Sequence, residues 1–175
     1  MLIPESRKQE IANQLLAFTE KEVVDFLAEH PDEKFYAFAF DCNAEYAEVN
    51  LCLNTEEVFR KTLNEYQSEY PEDYQSESDL LDLKYNTGDW EYQCFATTYI
   101  MEEDEMDALY GDDVDAQLTE FMEIFYQVLA DFRKSTVYAA IPKTDAFKLI
   151  CLDHDDDVLE SIEAFDTFLE KTKKY

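Results

Sequence analysis

Residues 35–40 read Phe-Tyr-Ala-Phe-Ala-Phe, apolar at every position. A strand that is apolar on both faces has to be covered on both, so this run belongs in the middle of a sheet with packed layers above and below it. Four further stretches, at 48–53, 90–99, 136–141 and 146–152, are short, rich in aromatic and aliphatic side chains, and read as strands. The connections at 41–46 and 142–145 have the length of turns, which predicts two antiparallel hairpins. The expected sheet is therefore antiparallel, with about five strands.

Helical periodicity supplies the covering layers. Val114, Leu118, Phe121, Phe125, Val128 and Phe132 recur at spacings of 4, 3, 4, 3 and 4 and share one helix face. The same test finds Ile11, Leu15, Phe18 and Phe26, then Phe59, Leu63, Tyr66 and Tyr70, then Val158, Ile162, Phe165 and Leu169. Caps are available to these four helices at Ser6 with Gln9, Asn54 with Glu57, Asp112 after Gly111, and Asp157 with Glu160. Each half of the chain thus reads helix, strand, strand, helix. An internal duplication explains that order, and so does convergence on a common α+β grammar. The fold class is a single α+β domain over 1–175. Its 71–83 segment lacks an apolar period and is expected to be a solvated loop, and the acidic stretch at 102–107 fits either a short helix or a loop.

Charge limits the partners. With 14 basic and 42 acidic side chains the formal net charge is −28, yet 13 Phe, 12 Tyr and 46% hydrophobic residues are enough to build a core. Such a chain repels phosphate backbones and anionic lipid, so direct binding to nucleic acid or to a membrane surface is not expected, and a basic protein is the natural complement. The opening Met-Leu-Ile-Pro-Glu-Ser does not have the pattern of a signal peptide, and no apolar run is long enough to span a bilayer. A cytoplasmic protein is expected. Cys42, Cys52, Cys94 and Cys151 form no C-x-x-C pair and sit in or beside strand-like segments, so they read as buried thiols.

Chemical motifs are sparse. Asp153, Asp155 and Asp157 have the first three spacings of a calcium loop, but Val158 stands where the turn needs Gly and Ala164 where a bidentate Glu would close the shell. No metal site is assigned: these three aspartates are weak candidates, as is the acidic patch at 102–107, and the run at 153–157 also suits a helix N-terminus. His30 and His154 have no His or Cys partner at ligand spacing, and His30, preceding Pro31, reads as a capping or surface residue. Two glycines leave no room for a phosphate-binding loop, and there is no G-x-S-x-G elbow. No catalytic residue and no cofactor is assigned.

The candidate binding residues are Asn86, Asp89, Trp90 and Tyr92, where the only Trp follows one of the two glycines at a turn-to-strand junction. Alternation along a strand would send Trp90 and Tyr92 to one face. They are read either as core under a helix or as aromatic anchors ringed by acids for an Arg- or Lys-rich partner.

Three stretches carry a family resemblance: Phe35-Tyr36-Ala37-Phe38-Ala39-Phe40-Asp41-Cys42-Asn43-Ala44, Leu51-Cys52-Leu53-Asn54-Thr55-Glu56-Glu57, and Leu83-Lys84-Tyr85-Asn86-Thr87-Gly88-Asp89-Trp90-Glu91-Tyr92. With these the chain resembles the uncharacterised bacterial family called domain of unknown function 4303. The resemblance implies a small stand-alone bacterial cytoplasmic protein and, since the family has no established activity, it transfers no catalytic residue. In general character such proteins are similar to immunity proteins that neutralise a toxin. The expected function is a non-catalytic, immunity-type inhibitor of a basic partner such as a toxin or nuclease. The alternatives are an enzyme with an unrecognised carboxylate-based site, which would need a concave pocket holding a perturbed carboxylate, and a nucleic-acid mimic.

Overall fold

The computed structural model describes residues 2–172, so residues 1 and 173–175 of the expected 1–175 domain lie outside the described residues. The chain runs α1 (Glu5–Glu29), β1 (Phe35–Asn43), a 3-10 turn (Ala44–Tyr46), β2 (Glu48–Thr55), α2 (Glu56–Glu69) and α3 (Glu77–Tyr85). A second 3-10 turn (Thr87–Asp89) leads into β3 (Tyr92–Tyr99), α4 (Glu103–Tyr110), α5 (Val114–Phe132), α6 (Thr136–Ala140), β4 (Lys143–Asp153) and α7 (Val158–Thr172).

The four strands form one sheet in the order β3-β2-β1-β4. β1 pairs antiparallel with β2 and parallel with β4, and β2 pairs antiparallel with β3. The apolar run at 35–40 is central and wholly buried. Alternate side chains of β1 serve two separate cores. Phe38, Phe40 and Cys42 meet Ile11, Leu15 and Val23 of α1 and Phe121, Phe125 and Val128 of α5. Tyr36 and Ala39 turn the other way, to Tyr85 of α3, Trp90, Val158 of α7 and the edge of Phe59 from α2.

The expected α+β class and single sheet are present, but the sheet is mixed and four-stranded, not antiparallel and five-stranded. The missing strand is 136–141. Its side chains suit a strand, yet the Ser135 hydroxyl accepts from Tyr138 N–H at 3.0 Å and folds the segment into α6, and Pro142 then ends the turn. Without a second hairpin β4 arrives from a crossover and lies parallel to β1. The helix-strand-strand-helix order of the second half goes with it, and so does the case for a duplication. The 71–83 segment is only partly a loop, because Ser76 and Asp79 form a reciprocal capping box that starts α3 at Glu77. The acidic stretch at 102–107 is carried mainly by α4. Caps shift by a residue: Thr55 caps α2 and Asp113 caps α5, α1 starts after Pro4 without a side-chain cap, and Asp157 accepts from Leu159 and Glu160 N–H at 2.9 Å as its spacing predicts.

Candidate functional site

On the face served by Tyr36 and Ala39, the apolar pattern stops before the strands do. The next β1 residue on that face is Asp41, its β2 partner is Asn50, and β4 passes through Leu152 and ends just before His154. α2, α3 and the start of α7 cover the apolar part and leave this polar end open. The result is a cleft of about 410 Å³ at the carboxyl ends of β1 and β4. Ligands of open α/β sheets collect at such strand ends.

Asp41 forms its floor at 8% exposure. One oxygen accepts from the Thr87 hydroxyl at 2.6 Å, and the other lies 3.8 Å from His154 Nδ1. Burial raises the Asp41 pKa, while the Thr87 hydrogen bond and His154 offset only part of that rise. On the wall, Asn50 donates to Glu48 at 2.8 Å and accepts from the Thr97 hydroxyl at 2.6 Å. Asp156, at the mouth, is also raised, by burial and then by the charges of Asp153, Asp155 and Glu160.

Two further hollows adjoin this cleft around the turn between β1 and β2. One, of about 340 Å³, shares Asn43 and Asp156 with it and adds Glu45, Asp153 and Asp155. The other, of about 510 Å³, shares Glu45 with the first of these hollows, not with the cleft, and adds Glu102, Glu103 and Asp107 beside Tyr46 and Tyr99. Together the three hollows hold nine carboxylates and neither lysine nor arginine. Tyr46 and Tyr99 stand 58% and 62% exposed among them. The roomiest hollow of those described, about 560 Å³, is a groove between α1 and α5 that includes Lys8 and lies apart from this acidic end.

The sequence-predicted residues are dispersed. Asn86 lines the cleft, accepts from Gly88 N–H at 3.3 Å and donates to Asp89 at 2.7 Å. Asp89 also accepts from the Tyr66 hydroxyl at 2.5 Å. Trp90 is core, 2% exposed, with its indole N–H donating to the Lys84 carbonyl at 3.0 Å and its ring edge-on to Tyr36 at 5.9 Å. Tyr92 goes to the opposite layer, against Phe26, His30 and Phe35, and its hydroxyl donates to Glu33 at 2.5 Å. The same-face expectation fails because β3 starts only at Tyr92. Trp90 still belongs to the exit of the 3-10 turn, where strand alternation does not hold.

The calcium-loop spacing does not gather its aspartates. Asp153 accepts from Ala44 N–H at 2.9 Å, Asp157 caps α7, and Asp155 is exposed. Among the described residues no group of three His, Cys, Asp or Glu is arranged to hold a metal ion. Three cysteines are buried as expected, whereas Cys94 is exposed in the cleft wall. His30 caps α1, donating its backbone N–H to Phe26. Sequence reasoning passed over Asp41, although a carboxylate two residues beyond Ala39 had to share its face. No sequence signal marked Tyr46 and Tyr99, which the fold brings to the lining of one hollow.

The sequence matches the family described as Domain of unknown function (DUF4303) over residues 15–167, and the chain belongs to that family. No curated protein and no solved structure matches it. No helix among the described residues is long and apolar enough to cross a membrane.

Proposed function

We propose that this protein is a non-catalytic binding protein of the immunity or inhibitor type, whose acidic sheet end covers the cationic site of a basic partner such as a toxin or nuclease. The observation that carries the proposal is the run of three hollows with nine carboxylates and no lysine or arginine. Like charges held this close repel one another, and an Arg- or Lys-rich surface relieves that repulsion while long-range attraction speeds encounter. Tyr46 and Tyr99 supply what charge alone does not, exposed rings on which a guanidinium can stack. The setting proposed is the cytoplasm, with neither nucleic acid nor membrane bound directly.

The test is capture of the tagged protein's partner at low salt from nuclease-treated extract of the cells that make it. One stoichiometric protein with a basic surface is expected. It should be lost from a Glu45→Lys, Glu102→Lys variant and kept by Glu20→Lys on α1. Retention by the double variant, or a partner without a basic surface, would overturn the proposal.

One observation favours a second reading, an enzyme with a carboxylate-based site. Asp41 is a buried carboxylate of raised pKa at the floor of a concave cleft, flanked by a hydroxyl and an imidazole. Those are the parts of a proton-transfer site.

A further inference from the structure

Cys94 is exposed in the cleft wall, and its backbone is held in the left-handed region at φ 50, which side-chain-bearing residues rarely adopt. It sits in an irregularity of the β2–β3 pairing. The register passes from Leu51 opposite Ala96 to Leu53 opposite Tyr92, so Cys52 alone faces Gln93, Cys94 and Phe95. The bulge turns Cys94 N–H onto the Cys52 sulfur at 3.3 Å. With an N–Cα bond of about 1.46 Å, that sulfur lies within about 4.8 Å of the Cys94 Cα. Cys52 and Cys94 are not register partners, so it is this sulfur contact that brings the pair within reach of the Cα separation of about 4.4–6.8 Å that a disulfide bridges.

We propose that Cys94 and Cys52 form a peroxide-sensitive thiol pair, in which Cys94 is the attacking sulfur and Cys52 the resolving one, joined by a reversible disulfide across β2 and β3. The Cys94 thiolate attacks one oxygen of a hydroperoxide. The O–O bond breaks, an S–O bond forms, and hydroxide leaves to become water. The Cys52 sulfur then attacks the Cys94 sulfenic acid; the S–S bond forms, the S–O bond breaks, and the departing hydroxide carries off the Cys52 proton as a second water. Two thiols are oxidised and one hydrogen peroxide is reduced to two waters.

The environment supports that order. The neighbouring Cys52 thiol brings the Cys94 thiol down to about 7, against burial and the charges of Asp41 and Glu48, and His154 adds to the drop. Cys52 is buried and held well above its ordinary value by the same contact and by burial, so its thiol stays protonated until Cys94 has reacted. Cys42 and Cys151 are also neighbours, across β1 and β4, but both are buried in the opposite core, where burial pushes the Cys42 thiol up. They are closed to a dissolved oxidant.

The experiment treats the full chain with hydrogen peroxide near neutral pH and follows intact mass and a peptide map. A loss of two hydrogens, a Cys52–Cys94 cross-link and full recovery with dithiothreitol are expected. Iodoacetamide labelling of Cys94 should follow a pH profile with its midpoint near 7, compared with about 8.5 for an ordinary thiol. Cys94→Ser, a change at an exposed position, should abolish the mass loss. Cys52→Ala should leave Cys94 to gain oxygen without a cross-link. If that buried variant does not fold, the map of the unmutated chain and Cys94→Ser still decide the matter. A bond between Cys42 and Cys151, oxygen accumulating on Cys94 with no link to Cys52, or no reaction would each overturn the proposal.

Discussion

Asp41 continues a strand whose previous six residues are fully buried, and it keeps a carboxylate where an apolar side chain would pack. Because its pKa is raised in the fold, the protonated form is the better folded one. Its contribution to stability is complete below the ordinary aspartate range, near pH 4, and is lost as pH rises through the raised value. Asp41→Asn, which keeps an acceptor for Thr87, should therefore unfold at higher temperature than the unmutated protein at pH 7. That advantage should shrink toward pH 4, and equal melting temperatures at pH 7 would refute the burial account. Glu120 has the opposite sign. Burial at 4% exposure pushes it up, but Lys8 at 2.6 Å, the Tyr110 hydroxyl at 2.8 Å and Ile3 N–H at 3.1 Å outweigh this and hold it low. Its stabilisation is present above the ordinary glutamate range and lost as pH falls through the depressed value. Glu120→Gln should cost about 1–3 kcal/mol at pH 7, read by denaturant melts, and less below about pH 4.

At the scale of elements, local chemistry decides several outcomes that periodicity alone does not. The Ser76–Asp79 capping box lets α3 form although only Leu83 and Tyr85 of that helix are buried. Ser76→Ala should cost about 0.5–2 kcal/mol, and it should speed amide exchange across α3 while leaving α5 protected. Unchanged exchange in α3 would count against the cap. The long amphipathic helices α1, α5 and α7 and the central strand were legible because many apolar positions agree on one period. The strand at 136–141 was misread because its aromatic and β-branched side chains outvoted one Ser at the cap position. The parallel pairing of β4 followed from that single misreading. The cleft was harder to see, since Asp41, Thr87, Cys94 and His154 come from four separate segments, and the motifs that surround Thr87 and His154 drew attention to their neighbours instead. Trp90 drew attention by rarity, and rarity here marks a core position.

For the whole molecule, a formal charge of −28 is distributed unevenly in space. The carboxyl ends of β1 and β4, the β1–β2 turn and the hollow beside Glu102, Glu103 and Asp107 bring acids together with no lysine or arginine in their lining. Some of the other acids are paired, as in Lys84 with Glu56 at 2.6 Å and Lys8 with Glu120 at 2.6 Å. Self-repulsion of that kind weakens as salt screens it, so the melting temperature of the free protein should rise between about 0.01 M and about 0.15 M salt, as the screening length falls from about 30 Å to about 8 Å. A melting temperature independent of salt would mean that the acids are too well solvated to repel.

The most direct measurement on the binding claim is the association rate of the captured basic partner across that same salt range, for the unmutated protein and for the Glu45→Lys, Glu102→Lys variant. Steering by the acidic end predicts an association rate that falls about tenfold or more with added salt, a dissociation rate that changes far less, and a variant that associates slowly at every salt concentration. An association rate that ignores salt, or a variant that associates as fast as the unmutated protein, would contradict the assignment of this face.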